Sequence, residues 1–185
     1  GKNYLQKCSY DVKSFPSDME LRIDGNKLEA GKDFIAEAIS GSGKGTYNVI
    51  HVKYFPRDKD SLHELFNQDL SGKVLSVEID SIGTDDKKII RALKNELFPG
   101  RHQPKAILIC EEKKLTMDVS ETAVPYPVFS ALKKTLPKNF KTISFNIKNK
   151  LLKNFDTQNI SGFVKGSVHP DSFIVITAHF DPLAI

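Results

Sequence analysis

The chain has 185 residues, of which 39% are hydrophobic and 27% charged, ordinary proportions for a globular chain with one domain or one domain and part of a second. The formal net charge is only +4, and the lysines are spread along the chain, which points to a solvated surface rather than a nucleic-acid footprint. No run of about 18 apolar residues occurs, so a membrane-spanning helix is excluded.

In chain order the first half reads mostly as strands. Residues 4–12 alternate loosely, and Phe15-Pro16-Ser17-Asp18 makes a turn. Met19, Leu21 and Ile23 alternate strictly with polar neighbours, which puts them on one buried face. Asp24-Gly25-Asn26-Lys27 then suits a tight hairpin turn. Residues 45–55 read as a further strand. Two helices are expected next. Residues 61–70 open on Ser61 with Glu64 three positions on, a capping box, and carry Leu62, Leu65 and Phe66 on one face. Residues 85–97 place Ile89, Ile90, Leu93 and Leu97 at helical spacing before Phe98-Pro99-Gly100. Between them 74–79 is a short strand.

Residues 106–110 form a fully apolar run of the buried-strand kind. The prolines at 125 and 127 hold 123–129 extended. A short helix is expected over 130–136, ended by Pro137, and a strand over 141–148 with Ile143, Phe145 and Ile147 on one side. Near the end, 159–165 reads as a strand, 166–171 as a turn and 173–178 as a continuous apolar strand that runs into His179. A buried strand delivering a polar residue at its carboxyl end is where open α/β sheets place ligands.

Several stretches were weighed for chemistry. Gly41-Ser42-Gly43-Lys44-Gly45-Thr46 has the composition of a phosphate loop, but Ala38 and Gly45 stand where the pattern needs Gly and Ser or Thr. A strand rather than a helix is expected after it, so it reads as a β-connection. His51, His63, His102 and His169 have no partner at ligand spacing. Cys8 and Cys110 are expected to be buried free thiols, and no Cys-x-x-Cys zinc pattern occurs. Asn159-Ile160-Ser161 is a glycosylation sequon, meaningful only in a eukaryotic secretory setting. His179 and Asp181, two apart on an extended strand end, point the same way. An imidazole that binds zinc usually donates its second N–H to a carboxylate.

Two stretches resemble one known architecture. Residues 10–16, 19–21, 31–34 and 42–47, with Leu70-Ser71-Gly72-Lys73-Val74-Leu75 and residues 104–109, are similar to the protease-associated (PA) domain of bacterial proteins of peptidase family M28. Residues 158–166 followed by Phe173-Ile174-Val175-Ile176-Thr177-Ala178-His179-Phe180-Asp181 resemble the start of the M28 zinc-aminopeptidase domain: two strands, then His-Tyr/Phe-Asp. The resemblance implies that His179 is a zinc ligand and Asp181 its supporting carboxylate. It also implies further ligands and a Glu-Glu pair beyond these positions, whereas Pro182-Leu183-Ala184 departs from the family's His/Ser-x-Gly type of continuation.

The expected fold is α+β: a β-rich, PA-like sandwich or barrel with flanking helices over 2–155, then the first strands of an incomplete α/β zinc-peptidase domain over 158–185. The expected function is that of a module of a zinc aminopeptidase, the PA-like part acting as a lid or a peptide- or protein-contacting surface. The alternative is a stand-alone peptide-binding module without chemistry. One histidine and its carboxylate cannot hold catalytic zinc, which takes three protein ligands and a water, so these 185 residues alone are expected to be inert. Gly1 without a Met is expected to mark a trimmed chain that has lost an export signal, hence a secreted or periplasmic protein. Expected partners are a peptide or protein substrate and a second copy, paired through exposed C-terminal strands at 173–176.

Overall fold

The computed structural model describes residues 2–53, 64, 69–78, 103–116, 120, 123–169, 171–172 and 174–178. It divides into two compact units, one of residues 11–153 and one of residues 1–10 with 154–185.

The larger unit is built on one eight-stranded sheet in the order β3-β2-β9-β5-β6-β7-β8-β4. Its first hairpin joins β2 (Glu20–Ile23) to β3 (Asn26–Lys27) through Asp24 and Gly25, with Ile23 opposite Asn26. Both loop residues have positive φ, 46° and 84°, the two-residue turn whose twist matches that of the strands and which Asp-Gly favours. The Asp24 carboxylate accepts from the Thr142 N–H at 2.8 Å, the Lys141 N–H at 3.0 Å and the Thr142 hydroxyl at 3.0 Å. The turn is thereby tied to the start of β9 (Thr142–Ile147), which pairs antiparallel with β2. Along β9 burial alternates, with Ile143, Phe145 and Ile147 inside, as the period of two requires.

β5 (Gly43–Val52), β6 (Lys73–Glu78), β7 (Ala106–Glu111) and β8 (Val128–Leu132) run parallel to one another. Parallel pairing needs long crossovers, and residues 53–72, 79–105 and 112–127 are long enough for them. β7 and β8 are buried on both faces, which explains why residues 106–110 read as a continuous apolar run rather than an alternating one. β4 (Phe34–Ala36) closes the order by pairing antiparallel with β8.

The sheet curls. β8 lies four strands from β9 in the hydrogen-bonded order, about 19 Å across a flat sheet at about 4.8 Å per strand. Yet the Phe129 and Phe145 rings are 5.8 Å apart, and Phe129 also meets Phe34 at 5.9 Å, edge to face. The concave face is filled by Leu21, Ile23, Leu108 and Ile143 around these rings. The opposite face carries a second cluster including Leu75, Val77, Ile107, Ile109 and Tyr126. The strand-rich character expected from the sequence is thus present, as a curled sheet.

The helix expected over 130–136 is absent. Ser130, Ala131 and Leu132 continue β8, with Ile109, Cys110 and Glu111 opposite them on one side and Ile35 and Phe34 opposite the first two on the other. A helical preference in Ala-Leu-Lys-Lys is worth tenths of a kcal/mol per residue and yields to two complete ladders. What remains is a single 3-10 turn at Lys133–Thr135, closed by the Thr135 hydroxyl donating to the Leu132 carbonyl at 2.7 Å. The helices expected over 61–70 and 85–97 fall largely outside the described residues.

The Gly41–Thr46 stretch carries no helix after it; Gly43 opens β5. Its role is packing. The Gly41 N–H donates to the Tyr126 carbonyl at 2.8 Å, and the buried Ser40 hydroxyl accepts from the Val128 N–H at 3.0 Å. A Cβ at Gly41 would collide with the Val124 carbonyl oxygen and stand 2.8 Å from the Tyr126 nitrogen.

In the smaller unit, parts of β1 (Lys2–Ser14) and β10 (Lys150–Phe163) form a two-stranded ribbon. Asn159 Nδ2 donates to Gln6 Oε1 at 3.4 Å and the Ser161 hydroxyl to the Tyr4 carbonyl at 3.4 Å. These contacts step in opposite directions along the chain, as in an antiparallel ribbon. β10 begins nine residues before the strand expected at 159–165. The apolar strand expected over 173–178 is not formed: 174–178 are irregular, with Ile174 94% and Ile176 89% exposed. An apolar run becomes a strand only where a neighbouring strand takes up its N–H and C=O groups, and none among the described residues pairs with it.

Candidate functional site

His179 and Asp181 lie outside the described residues, as do His63 and His102. Among the described residues no group of three or more His, Cys, Asp or Glu side chains converges to hold a metal ion. The described residues therefore do not by themselves make a zinc site, which needs three protein ligands. His169 sits in an exposed turn, its carbonyl accepting from the Ser172 N–H at 3.1 Å. No helix among the described residues is long and apolar enough to cross a membrane.

The structure offers instead a cavity of about 520 Å³ in the larger unit. It stands at the carboxyl ends of the parallel strands: His51 and Lys53 come from β5 and the residue after it, Ser76 and Glu78 from β6, Cys110 from β7. The segment after β8 supplies Lys133, Lys134 and Lys138 together with the apolar wall of Leu136, Pro137 and Phe140. Parallel strands expose unpaired ends and converging side chains at their carboxyl termini, which is where open sheets gather ligands.

Its electrostatics follow from a few contacts. Lys133 Nζ lies 2.8 Å from Glu78 Oε2 and 3.2 Å from Glu112 Oε1. Hydrogen bonding to Glu78, then to Glu112, raises the Lys133 ammonium above the usual lysine range and offsets the charge of Glu78, the acidic group among the described lining residues. Cys110 is buried 3.4 Å from the Ser76 hydroxyl, and burial pushes its thiol up to about 11. It stays protonated at neutral pH and is no nucleophile there. His51 Nε2 lies 2.7 Å from the Phe140 carbonyl. A carbonyl only accepts, so Nε2 carries the proton and Nδ1 remains for another partner. The His51 ring stands edge-on to Phe140 at 4.6 Å.

Sequence reasoning left this cavity unnoticed, treating His51 as isolated. The usable signal was the continuous apolar run at 106–110, which implies a strand buried on both faces in a parallel sheet with a ligand-gathering end. Cys110 is a buried free thiol as expected, whereas Cys8 is half-buried.

No family model matches the chain. Over 187 aligned residues it is 27% identical to the aminopeptidase YwaD of Bacillus subtilis, covering 96% of this chain and 38% of that protein. In structure it is similar to a peptidase M28 precursor from Shewanella amazonensis, with a TM-score of 0.59 at 13% identity over 90% of this chain and 42% of that one. The resemblance to the M28 peptidases holds. An aminopeptidase from Aneurinibacillus sp. strain AM-1 is a further M28-like neighbour, with a TM-score of 0.53 at 14% identity over 86% of this chain and 37% of that one. The two structural likenesses concern the fold alone. This chain spans about two fifths of the length of each of these three proteins.

Proposed function

We propose that the chain is the N-terminal region of a zinc-dependent aminopeptidase of the M28 type. Its β-rich part acts as a PA-like lid or substrate-contacting module beside a peptidase domain that begins at residue 158. The observation that carries this reading is the similarity to a bacterial aminopeptidase along 96% of the chain, at 38% of that relative's length. The substrates are then peptides, and the setting is secreted or periplasmic. His179 would be one zinc ligand and Asp181 the carboxylate that supports it. The metal supplies a Lewis acid and an activated water at the completed site. The irregular, exposed residues 174–178 support pairing, either with more of the peptidase domain or with a second copy.

The test uses the natural-length protein and this 185-residue chain side by side on an aminoacyl nitroanilide. The natural-length protein is expected to hydrolyse it, to lose activity on chelation and recover it with zinc, and to be inactivated by His179→Ala. The 185-residue chain alone is expected to be inert. Chelator-sensitive hydrolysis by the short chain, or full activity of natural-length His179→Ala, would refute the assignment.

A further inference from the structure

We propose that the cavity at the carboxyl ends of β5, β6 and β7 binds acidic side chains of a peptide. The identity of the ligand as a peptide rests on the function proposed above; its negative charge and apolar framework rest on the cavity itself.

Charge is the first argument. Lys53, Lys134 and Lys138 line the space, and none has an ion-pair partner among the described residues. The acidic group among the lining residues, Glu78, is held by Lys133. The lining therefore carries a surplus of ammonium groups, and clefts of one sign concentrate ligands of the other. Among the described lining residues, Ser76 and Cys110 are neutral at ordinary pH.

Size and surface chemistry narrow the class. About 520 Å³ falls within the usual range for small-ligand sites, and it holds more than a bare inorganic anion. Leu136, Pro137 and Phe140 add an apolar wall to the same lining. A phosphate would leave that wall in contact with water. A carboxylate on an aliphatic stem places charge against the ammonium groups and methylenes against the wall. Lysines bind phosphate as point charges too, so the apolar wall rather than the cations is what favours a carboxylate on a carbon stem. The His51 ring adds a hydrogen-bonding group to the lining for the peptide's own amides.

The experiment titrates the 185-residue chain with a labelled peptide carrying two glutamates among apolar residues, read by fluorescence anisotropy. Its twin carries glutamines, and inorganic phosphate serves as competitor. The glutamate peptide is expected to bind about tenfold or more tightly than the glutamine twin, and progressively less as salt is raised. Lys134→Glu with Lys138→Glu, both on exposed positions, is expected to weaken binding by about tenfold or more with thermal unfolding unchanged. Lys150→Glu with Lys153→Glu, on β10 and outside the cavity, is expected to leave it unchanged. Equal binding of the two peptides, equal loss in both lysine pairs, or no binding would overturn the proposal. Displacement by phosphate as effective as by unlabelled acidic peptide would overturn the peptide assignment in favour of a bare anion site. Hydrolysis plays no part in the readout, so failure of the aminopeptidase reading and failure of this one are told apart.

Discussion

Replacing Phe129 with alanine removes the ring through which β8 reaches across the curled sheet to β9. The side chain is 1% exposed and touches Phe145 at 5.8 Å and Phe34 at 5.9 Å. Truncating a fully buried phenylalanine costs about 3–5 kcal/mol, lost transfer energy plus an incompletely collapsed cavity. Against a total stability of about 5–15 kcal/mol, that is a large share. The single variant shows burial, but it does not test curvature. The cycle Phe129→Ala, Phe145→Ala and the double variant does, because in a flat sheet the two positions are too far apart to interact. Contacting pairs couple by about 0.5–3 kcal/mol, and aromatic pairs add about 0.5–1.5 kcal/mol beyond area. Urea unfolding followed by circular dichroism is the assay, since the chain has no tryptophan; m must stay constant across the set. A coupling energy within about 0.3 kcal/mol of zero would mean additive, independent sites and would refute the curled arrangement.

Gly41→Ala should destabilise the larger unit by roughly the amount of a buried-core lesion, because the added Cβ meets the backbone of residues 124–126 rather than a movable side chain; an unchanged thermal midpoint would contradict this. Asp24→Asn should lower stability at neutral pH. The Thr142 and Lys141 N–H groups favour the charged carboxylate and hold it below the usual aspartate range, so its stabilisation is present above the unfolded-chain value and is lost as acid titrates the folded one. The gap between wild type and Asp24→Asn should therefore close at low pH, measured by urea midpoints. Cys110, raised to about 11 from an ordinary 9.0, has the opposite sign. Its contribution is intact below about 9 and falls away by about 3 kcal/mol as pH climbs past 11, a limb that Cys110→Ala should flatten. In the same protein a thiol reagent at neutral pH should label the half-buried Cys8 and spare Cys110 until the chain is unfolded.

Much of the strand pattern was legible because its signals are local. Met19–Leu21–Ile23 and Ile143–Phe145–Ile147 alternate since one face is buried, and Asp24-Gly25 turns since both positions need positive φ. The rejection of a phosphate loop at Gly41–Thr46 agrees with the structure for the same reason: the residues after it alternate as a strand. Residues 130–136 misled because a lysine-containing stretch before a proline has the local look of a helix, while its fate was decided by β4 and β7 on either side. The 173–178 run misled in the other direction, since apolar composition alone supplies no pairing partner.

What the sequence by itself determined was the set of strands, their buried faces and the likeness to M28 peptidases, all carried by neighbouring residues or short motifs. Only the tertiary structure decided that β8 stays extended through Leu132, that the sheet bends until Phe129 meets Phe145, and that lysines after β8 gather beside residues of β5, β6 and β7. These depend on contacts between residues far apart in the chain. Pairing and curvature select them collectively, and no single stretch of residues records them.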